Sequence, residues 1–445
     1  MSTEYLNGRK PSANDRATEF LSRGFESLAH WLQQHDSDEN RINDNDLHFD
    51  LVIVGSGYGG AIAALEFSKT VIKKTGKKPR ICILERGKER LPGSFPSSLA
   101  ELPTEVRLYR HSQENYNSNQ PTVLGTESGL FDIRVGDGCS TLLANGLGGG
   151  SLINAGVMLQ PDASVFDSEK WPDSFREKKE LSSYFSEAQE LLGASIKNER
   201  NEATENTITR SGRTYSKYKS LETLVGCKDS VKAVPITVKL NTSDPDQTIK
   251  TDNCIDCGDC FSGCNFNAKK SLDTNVLATA ALYGVNIFCS TTVHLFDKLS
   301  DGRWELLIKH TEKNMHKHFP KTTKLRCSKL IIAAGTFGTT ELLLQSQLNS
   351  ENNLSFSSQL GNRFTGNGDM LITISNRSKQ VNSVASEKKV PGLRNVGPTI
   401  TGMIDYRNSE CHSVAIQELS VPAILHRLTS ESTTCLLYTS DAADE

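Results

Sequence analysis

The first strongly patterned stretch is residues 51 to 60, LVIVGSGYGG, an unbroken apolar run that stops on glycines and opens into the alanine-rich AIAALEF. A continuous Leu, Val and Ile run bounded by glycine reads as a strand buried on both faces, and the stretch after it as a helix packed close by. A second short apolar run, RICILERG, ends on Glu85 and makes residues 49 to 90 a strand-helix-strand unit. Upstream, Phe20, Leu21, Phe25, Leu28, Trp31 and Leu32 recur near helical spacing inside an otherwise polar segment, which predicts one amphipathic helix packed on the body. The stretch PGSFPSSLAELP is rich in Pro and Ser, as a surface crossing would be. Residues 158 to 240 alternate charged helical segments with loops. From Gly284 to Leu348 the pattern returns to strands, VNIFCSTTVHLF, WELLIKH and KLIIAAGT, the last leading into a helix, GTTELLLQS. No internal repeat or long low-complexity tract is visible.

The glycines that end the first strand are Gly55, Gly57 and Gly60, in G-x-G-x-x-G spacing. Between a buried strand and a helix this is a dinucleotide fingerprint: Gly55 allows the tight turn, Gly57 lets backbone approach a pyrophosphate, and Gly60 lets helix and strand pack closely. Glu85 falls about where a carboxylate should meet a ribose hydroxyl. The bland alternative is a tight glycine-rich turn. Which dinucleotide is bound depends on residues 145 to 156, NGLGGGSLINAG, a second glycine cluster with Ser151 and Asn154. A flavin ring is large and flat, and Gly148, Gly149 and Gly150 remove side chains that would block its approach. A glycine-rich surface loop is the alternative, but Leu147, Leu152, Ile153 and Val157 argue for burial.

Taken together, GSGYGG with ERG, GLGGGSLINAG and KLIIAAGTFGTTELLLQS resemble the glucose-methanol-choline family of FAD oxidoreductases, most closely its cholesterol-oxidase-like branch. The match runs from about Phe49 to about Arg427. The resemblance implies an α/β fold: a Rossmann-like FAD-binding domain built from discontinuous segments, plus an antiparallel-sheet substrate domain. It divides the chain into a polar, helical extension (1–48), the first part of the FAD domain (49–157), a substrate-side region (158–250), a cysteine loop (251–275), a return segment of the FAD domain (276–348), a second substrate part (349–427) and an irregular tail (428–445). It also adds Asn154, Gly335 and Val293 to the cofactor side, Val293 matching a residue beside the adenine.

Composition fits two ordinary domains. The chain has 445 residues, of which 36% are hydrophobic, and 50 basic against 53 acidic residues give a net charge of −3. That balance offers no electrostatic case for nucleic acid or an anionic membrane. No apolar run reaches the roughly 18 residues of a membrane span. The start, MSTEYLNGRKPSANDRATEF, does not read as a secretory signal. A cytoplasmic protein is the expectation, and eleven cysteines, an odd number, fit a reducing compartment better than a disulfide framework.

Four of those cysteines form the sharpest local signal. Cys254, Cys257, Cys260 and Cys264, in 254-CIDCGDCFSGC-264, follow C-x2-C-x2-C-x3-C, the spacing by which thiolates wrap an iron-sulfur cluster. Structural zinc sites usually come as two separated C-x2-C knuckles, so the close intervals favour iron and sulfur, with zinc and a reduced structural loop both left open. A single run calls for all four thiols on one centre or for a remote ligand such as Cys289. With a cluster, electrons would pass onward rather than directly to oxygen.

Oxidising an alcohol needs a base, a hydride acceptor and an apolar pocket. The segment 414-VAIQELSVPAIL-425 places Glu418 in an apolar strand-like run, where desolvation would raise its pKa as a general base requires. It resembles the stretch that supplies a catalytic glutamate facing the sterol in cholesterol oxidases. A solvated Glu on an edge strand is the alternative. The resemblance implies FAD-dependent oxidation of an alcohol, with a small apolar, sterol-like substrate such as a 3β-hydroxysteroid and oxygen or an electron carrier as acceptor. A dehydrogenase for another lipid or polyol alcohol, or a non-catalytic flavin-binding protein, are the other readings. After Arg427 the sequence LTSESTTCLLYTSDAADE lacks the family's histidine-bearing closing segment, so an inactive fragment with a non-native tail is expected.

Overall fold

The structure, a computed structural model, describes residues 20–36, 49–110, 122–136, 138–176, 178–197, 203–206, 213–223, 231–240, 251–319, 322–366, 368–373, 380–388, 391–407 and 414–426. The expected tail beyond residue 427 lies outside them.

A six-stranded sheet organises the fold, in the order Asn286–Phe288, Ile81–Leu84, Phe49–Val54, Thr323–Ile332, Trp304–His310, Thr291–Lys298. The first four strands run parallel, with Leu51 opposite Ile81 and Lys329, and the last two add an antiparallel meander. Strands far apart in sequence therefore share one sheet, as a flavin domain assembled from discontinuous segments requires. Successive side chains on a strand point to opposite faces. Leu51, Ile53, Ile81, Ile83 and Ile287 thus face one core, against the helices Tyr58–Thr75 and Val276–Leu282. Val52, Val54, Cys82, Leu84 and Phe288 face the other, against the helices Phe25–Asp36 and Gly335–Leu348. Burial on both faces explains why these strands read as unbroken apolar runs.

The N-terminal helix packs as its spacing predicts: Phe25, Leu28 and Leu32 are fully buried and Leu21 nearly so, while Phe20 stays exposed. The segment before it joins the sheet, since Arg23 bridges to Phe288 and the Leu21 and Ser22 amides donate to Glu89. One expected strand is in fact two. VNIFCSTTVHLF breaks at Ser290, whose φ of +54° turns the chain from the parallel strand into the antiparallel one.

Two further sheets lie beside the first. One has four strands, Thr122–Gly125, Val106–Arg110, Phe131–Val135 and Ser140–Ala144, around a fully buried Asp132 carboxylate held by Arg86, Arg107 and Arg134. The other is an antiparallel sheet of Ala415–Gln417, Gly402–Asp405 and Val231–Ala233. This second sheet joins pieces from both expected substrate segments. A two-stranded ladder pairs Ser195–Lys197 with Ala203–Asn206. Among the described residues no helix is long and apolar enough to cross a membrane.

Leu65 sits fully buried on the helix Tyr58–Thr75, in the core shared with Val276–Leu282. Truncation there leaves a cavity, so Leu65→Ala should cost about 2–5 kcal/mol in urea unfolding. A loss well under 1 kcal/mol would place this helix outside the core.

Candidate cofactor site and cysteine cavity

The loops that follow the parallel strands lie at one edge of the sheet, where open α/β folds bind ligands. Gly55 turns sharply there with φ +99°, and an added Cβ would meet the Ala333 carbonyl at 2.4 Å, so backbone from two strand ends is in contact. At Gly60 the same addition would strike the Gly55 carbonyl at 2.1 Å, the close helix-strand approach expected of it. Gly57 differs: it caps the helix Tyr58–Thr75 with extended backbone, and a Cβ on it would meet nothing within 4 Å.

The second glycine cluster is placed against the first. Residues 145–147 cross the ERG turn so closely that a Cβ on Gly87 would meet the Gly146 amide at 2.3 Å, while the Leu147 amide donates to the Lys88 carbonyl. The cluster then turns through Gly148 and Gly149, and a Cβ on Gly149 would come within 3.0 Å of the Gly57 Cα. Beside Gly150 and Gly335 the space is open, as at Gly57. Asn154 donates to the Tyr58 hydroxyl at 2.8 Å, tying the loop's end to the first turn of the fingerprint helix. Val293 lies half-buried at a bulge in the strand Thr291–Lys298, whose first amide donates to the Glu85 carbonyl.

Glu85, 7% exposed, ends its strand beside these loops. Its Oε2 accepts the Ser56 amide and hydroxyl, at 3.1 and 2.6 Å, and its Oε1 accepts the Gly87 amide at 2.8 Å. Of a carboxylate's roughly four acceptor positions this leaves one for a hydroxyl. The Ser56 hydroxyl also accepts the Gly148 amide at 3.0 Å. Ser56 is therefore the hub joining all three motifs, although it is only the unspecified residue inside G-x-G.

The cysteine loop packs beside the second glycine cluster. Cys254, Cys257, Cys260 and Cys264 line one cavity of about 270 Å³, with Asp259 and Lys269 in its wall. The loop is bent by Asp256, at φ +65°, which is buried and held by Arg213, the Tyr215 hydroxyl and Asn395. Backbone amides point at the sulfurs: Asp256 to Cys254 at 3.3 Å and Ala268 to Cys264 at 3.4 Å. Burial is the main cause that pushes Cys254 well above the usual thiol range, Cys257 up to about 12 and Cys264 upward, with neighbouring thiols adding to it. Among the described residues no group of three or more His, Cys, Asp or Glu is disposed to hold a metal ion. Four thiols line one cavity, two of them with amides directed at sulfur, a donor type that zinc and iron-sulfur clusters both take.

Two lysines missed in the sequence are fully buried nearby. Lys269 donates to the carbonyls of Leu152, Asn154 and Cys260 at 3.0, 2.6 and 3.0 Å, and burial draws its pKa down to about 8. Lys217, 2% exposed, pairs with Glu418 at 3.3 Å. Glu418, read from the sequence as a candidate base, is thus held in a buried ion pair. Its side chain is 7% exposed, and its oxygens accept the Thr401 amide, the Thr401 hydroxyl, the Gly402 amide and the Lys217 ammonium. Desolvation does raise its pKa, against the opposing pull of Lys217, but the carboxylate is engaged inside the core. It also falls just past the short strand Ala415–Gln417, not within a longer one. The pairing spans 201 residues, and no local signal announces it.

A ledge of glycine backbone at the carboxyl edge of a parallel sheet, with an acidic strand end, is the arrangement by which α/β folds bind dinucleotides. Comparison with known proteins narrows this class. No family model matches the chain. A cholesterol oxidase of Mycobacterium tuberculosis is 27% identical over 310 residues, covering 67% of this chain and 48% of that protein. A cholesterol oxidase of Acinetobacter baumannii is 25% identical over 353 residues, covering 74% and 56%. The chain thus spans about half the length of the curated relatives it matches. Among solved structures, a fungal aryl-alcohol oxidase aligns at TM-score 0.36 and 11% identity, covering 67% of this chain and 47% of that one. The L-amino acid deaminase from Proteus vulgaris aligns at TM-score 0.23 and 10% identity, covering 65% and 48%. The sequence matches bear out the resemblance to the glucose-methanol-choline family, through its cholesterol oxidases.

The Lys217–Glu418 pair sets a stability test. Lys217→Met strands a buried carboxylate and should cost about 3–5 kcal/mol in chemical unfolding. Lys217→Met with Glu418→Gln should cost less than the sum of the two single changes. Strict additivity would show that the two side chains do not interact.

Proposed function

We propose that this chain carries the flavin-binding part of an FAD-dependent alcohol oxidoreductase. One observation carries the reading: a Cβ on Gly149 would lie 3.0 Å from the Gly57 Cα, so the second glycine cluster packs on the fingerprint turn, while Gly57, Gly150 and Gly335 all border open space. A nicotinamide domain has no standard use for a second backbone ledge there; a wide flat ring does. FAD bound here would supply a hydride acceptor for the alcohol carbon. In this reading the amides at the start of the helix Tyr58–Thr75 face the pyrophosphate, Glu85 offers its remaining acceptor position to a ribose hydroxyl, and Asn154 holds the glycine loop on Tyr58. The 3β-hydroxysteroids are the first substrate class to test, since the curated relatives are named cholesterol oxidases. Glu418, the candidate base, would have to release its Thr401, Gly402 and Lys217 donors to take a proton from substrate.

We further propose that Cys254, Cys257, Cys260 and Cys264 hold an iron-sulfur cluster, which would supply one-electron transfer. The support is the shared cavity of about 270 Å³ and the amides aimed at sulfur. The chain's part is to deliver four deprotonated thiols, and the raised pKa values of Cys254, Cys257 and Cys264 mean that loading must release protons. Protein prepared anaerobically should contain iron and acid-labile sulfide, and Cys257→Ser should lower both. Stoichiometric zinc in their place would replace this reading.

Gly57 gives a sharp test for the flavin. Ala fits its backbone and meets nothing in the protein, so Gly57→Ala should leave the unfolding transition within about 0.5 kcal/mol of wild type, as for other neutral sites. FAD binding should nevertheless weaken by at least tenfold, read by titration of flavin fluorescence. Unchanged FAD affinity would remove the pyrophosphate from this turn, and preferential binding of NAD would reject the flavin.

A further inference from the structure

We propose that Lys269 is a positioning residue that couples the flavin loop to the cysteine-lined cavity, so that occupancy of one side fixes the other. The inference rests on the flavin reading and deepens it. Three carbonyl oxygens from two separate loops converge on one ammonium: Leu152 and Asn154 from the end of the glycine cluster, and Cys260 from the middle of the cysteine run. The sequence separations are 117, 115 and 9 residues, so the side chain is a long-range tie rather than a local turn bond.

The surrounding contacts make the tie stiff. On the glycine side, the Ser151 hydroxyl accepts the Leu272 amide at 3.0 Å, and Asn154 is already held by Tyr58. On the cysteine side, the Cys260 amide donates to the Thr399 hydroxyl, and the Ala268 amide donates to the Cys264 sulfur. Lys269 itself bridges to Val238, and the Lys270 amide donates to the Thr237 carbonyl. An ammonium with all three donors committed to carbonyls cannot follow a shift of one loop without releasing the other. Ordering the glycine loop by a ligand therefore restrains the Cys260 segment.

The ammonium also lacks a carboxylate among its hydrogen-bond partners. A buried charge is favoured by compensation, and the groups of opposite potential charge acting on this one are the thiols of Cys260 and Cys264 and the carboxylate of Asp273. An anionic occupant of the cysteine cavity would add to that compensation. Linkage then requires the effect to run both ways.

The test uses the full chain and iodoacetamide, with modification of the peptide holding Cys254 to Cys264 followed by mass spectrometry. Saturating FAD should slow alkylation of these cysteines in the wild type by roughly fivefold or more, the lower end of typical coupling. In Lys269→Met the rates with and without FAD should be equal. A general loosening by the substitution would raise both rates and keep their ratio, so the ratio separates coupling from mere instability. The reciprocal measurement needs no variant: wild-type chain alkylated only within this peptide should bind FAD more weakly by the same factor. FAD protection that persists in Lys269→Met, or alkylated wild type that binds FAD as tightly as before, overturns the proposal. Iron and sulfide analysis of the same samples reads the cluster separately, since coupling without iron supports the tie and removes the cluster. Failure of FAD to bind the unmodified chain overturns the flavin reading and this inference with it.

Discussion

The approach of Gly149 to Gly57 is the contact on which the site depends. Two backbone segments 92 residues apart meet with no side chain between them, and a single added methyl group on Gly149 would already lie 3.0 Å from the Gly57 Cα. Everything around that contact serves to hold it. Ser56 accepts from Gly148 and donates to Glu85, Glu85 accepts from Gly87, and Gly87 is pressed against Gly146. The result is a closed ring of backbone and two polar side chains at the end of the first two strands. The ring takes up the Ser56, Gly87 and Gly148 amides and leaves open space beside Gly57, Gly150 and Gly335.

The sequence made half of this ring legible. Continuous apolar runs exposed the parallel strands because both faces of that sheet are buried, and glycine spacing marked the turns because no other residue tolerates the approach. Gly55, Gly60 and Glu85 could be read from a window of 35 residues. The break at Ser290 could not, since a positive φ in a residue other than glycine leaves no compositional trace. Nor could Ser56, whose position in the motif is nominally free. Glu418 shows the limit most clearly: its apolar neighbours correctly signalled desolvation, but its partner Lys217 lies 201 residues away. A carboxylate in an apolar run is compatible with a base and with half of an ion pair, and only the fold distinguishes them.

The charged interior carries a consistent logic. Asp132 is met by Arg86, Arg107 and Arg134, and Glu418 by Lys217 and Thr401, so each buried carboxylate has donors on every side. Burying charge this way adds little net stability, because desolvation offsets most of the Coulomb gain, yet removing one partner is expensive. These networks therefore act less as glue than as constraints on arrangement. Arg86 illustrates the use: one arm reaches Asp132 and another reaches Asn145, which docks the four-stranded sheet and the glycine cluster onto the same strand end.

Lys269 departs from that logic, and the departure is informative. Its ammonium is as buried as Lys217, but its partners are carbonyl dipoles instead of a carboxylate. Three oriented carbonyls can satisfy its hydrogen bonds without neutralising its charge, and burial draws its pKa down to about 8. In the sheet networks a carboxylate bonds the cation directly; for Lys269 the Asp273 carboxylate acts only from outside the hydrogen-bond set. A cation tied by dipoles alone serves as a fastener between the glycine loop and the cysteine run rather than as half of an ion pair.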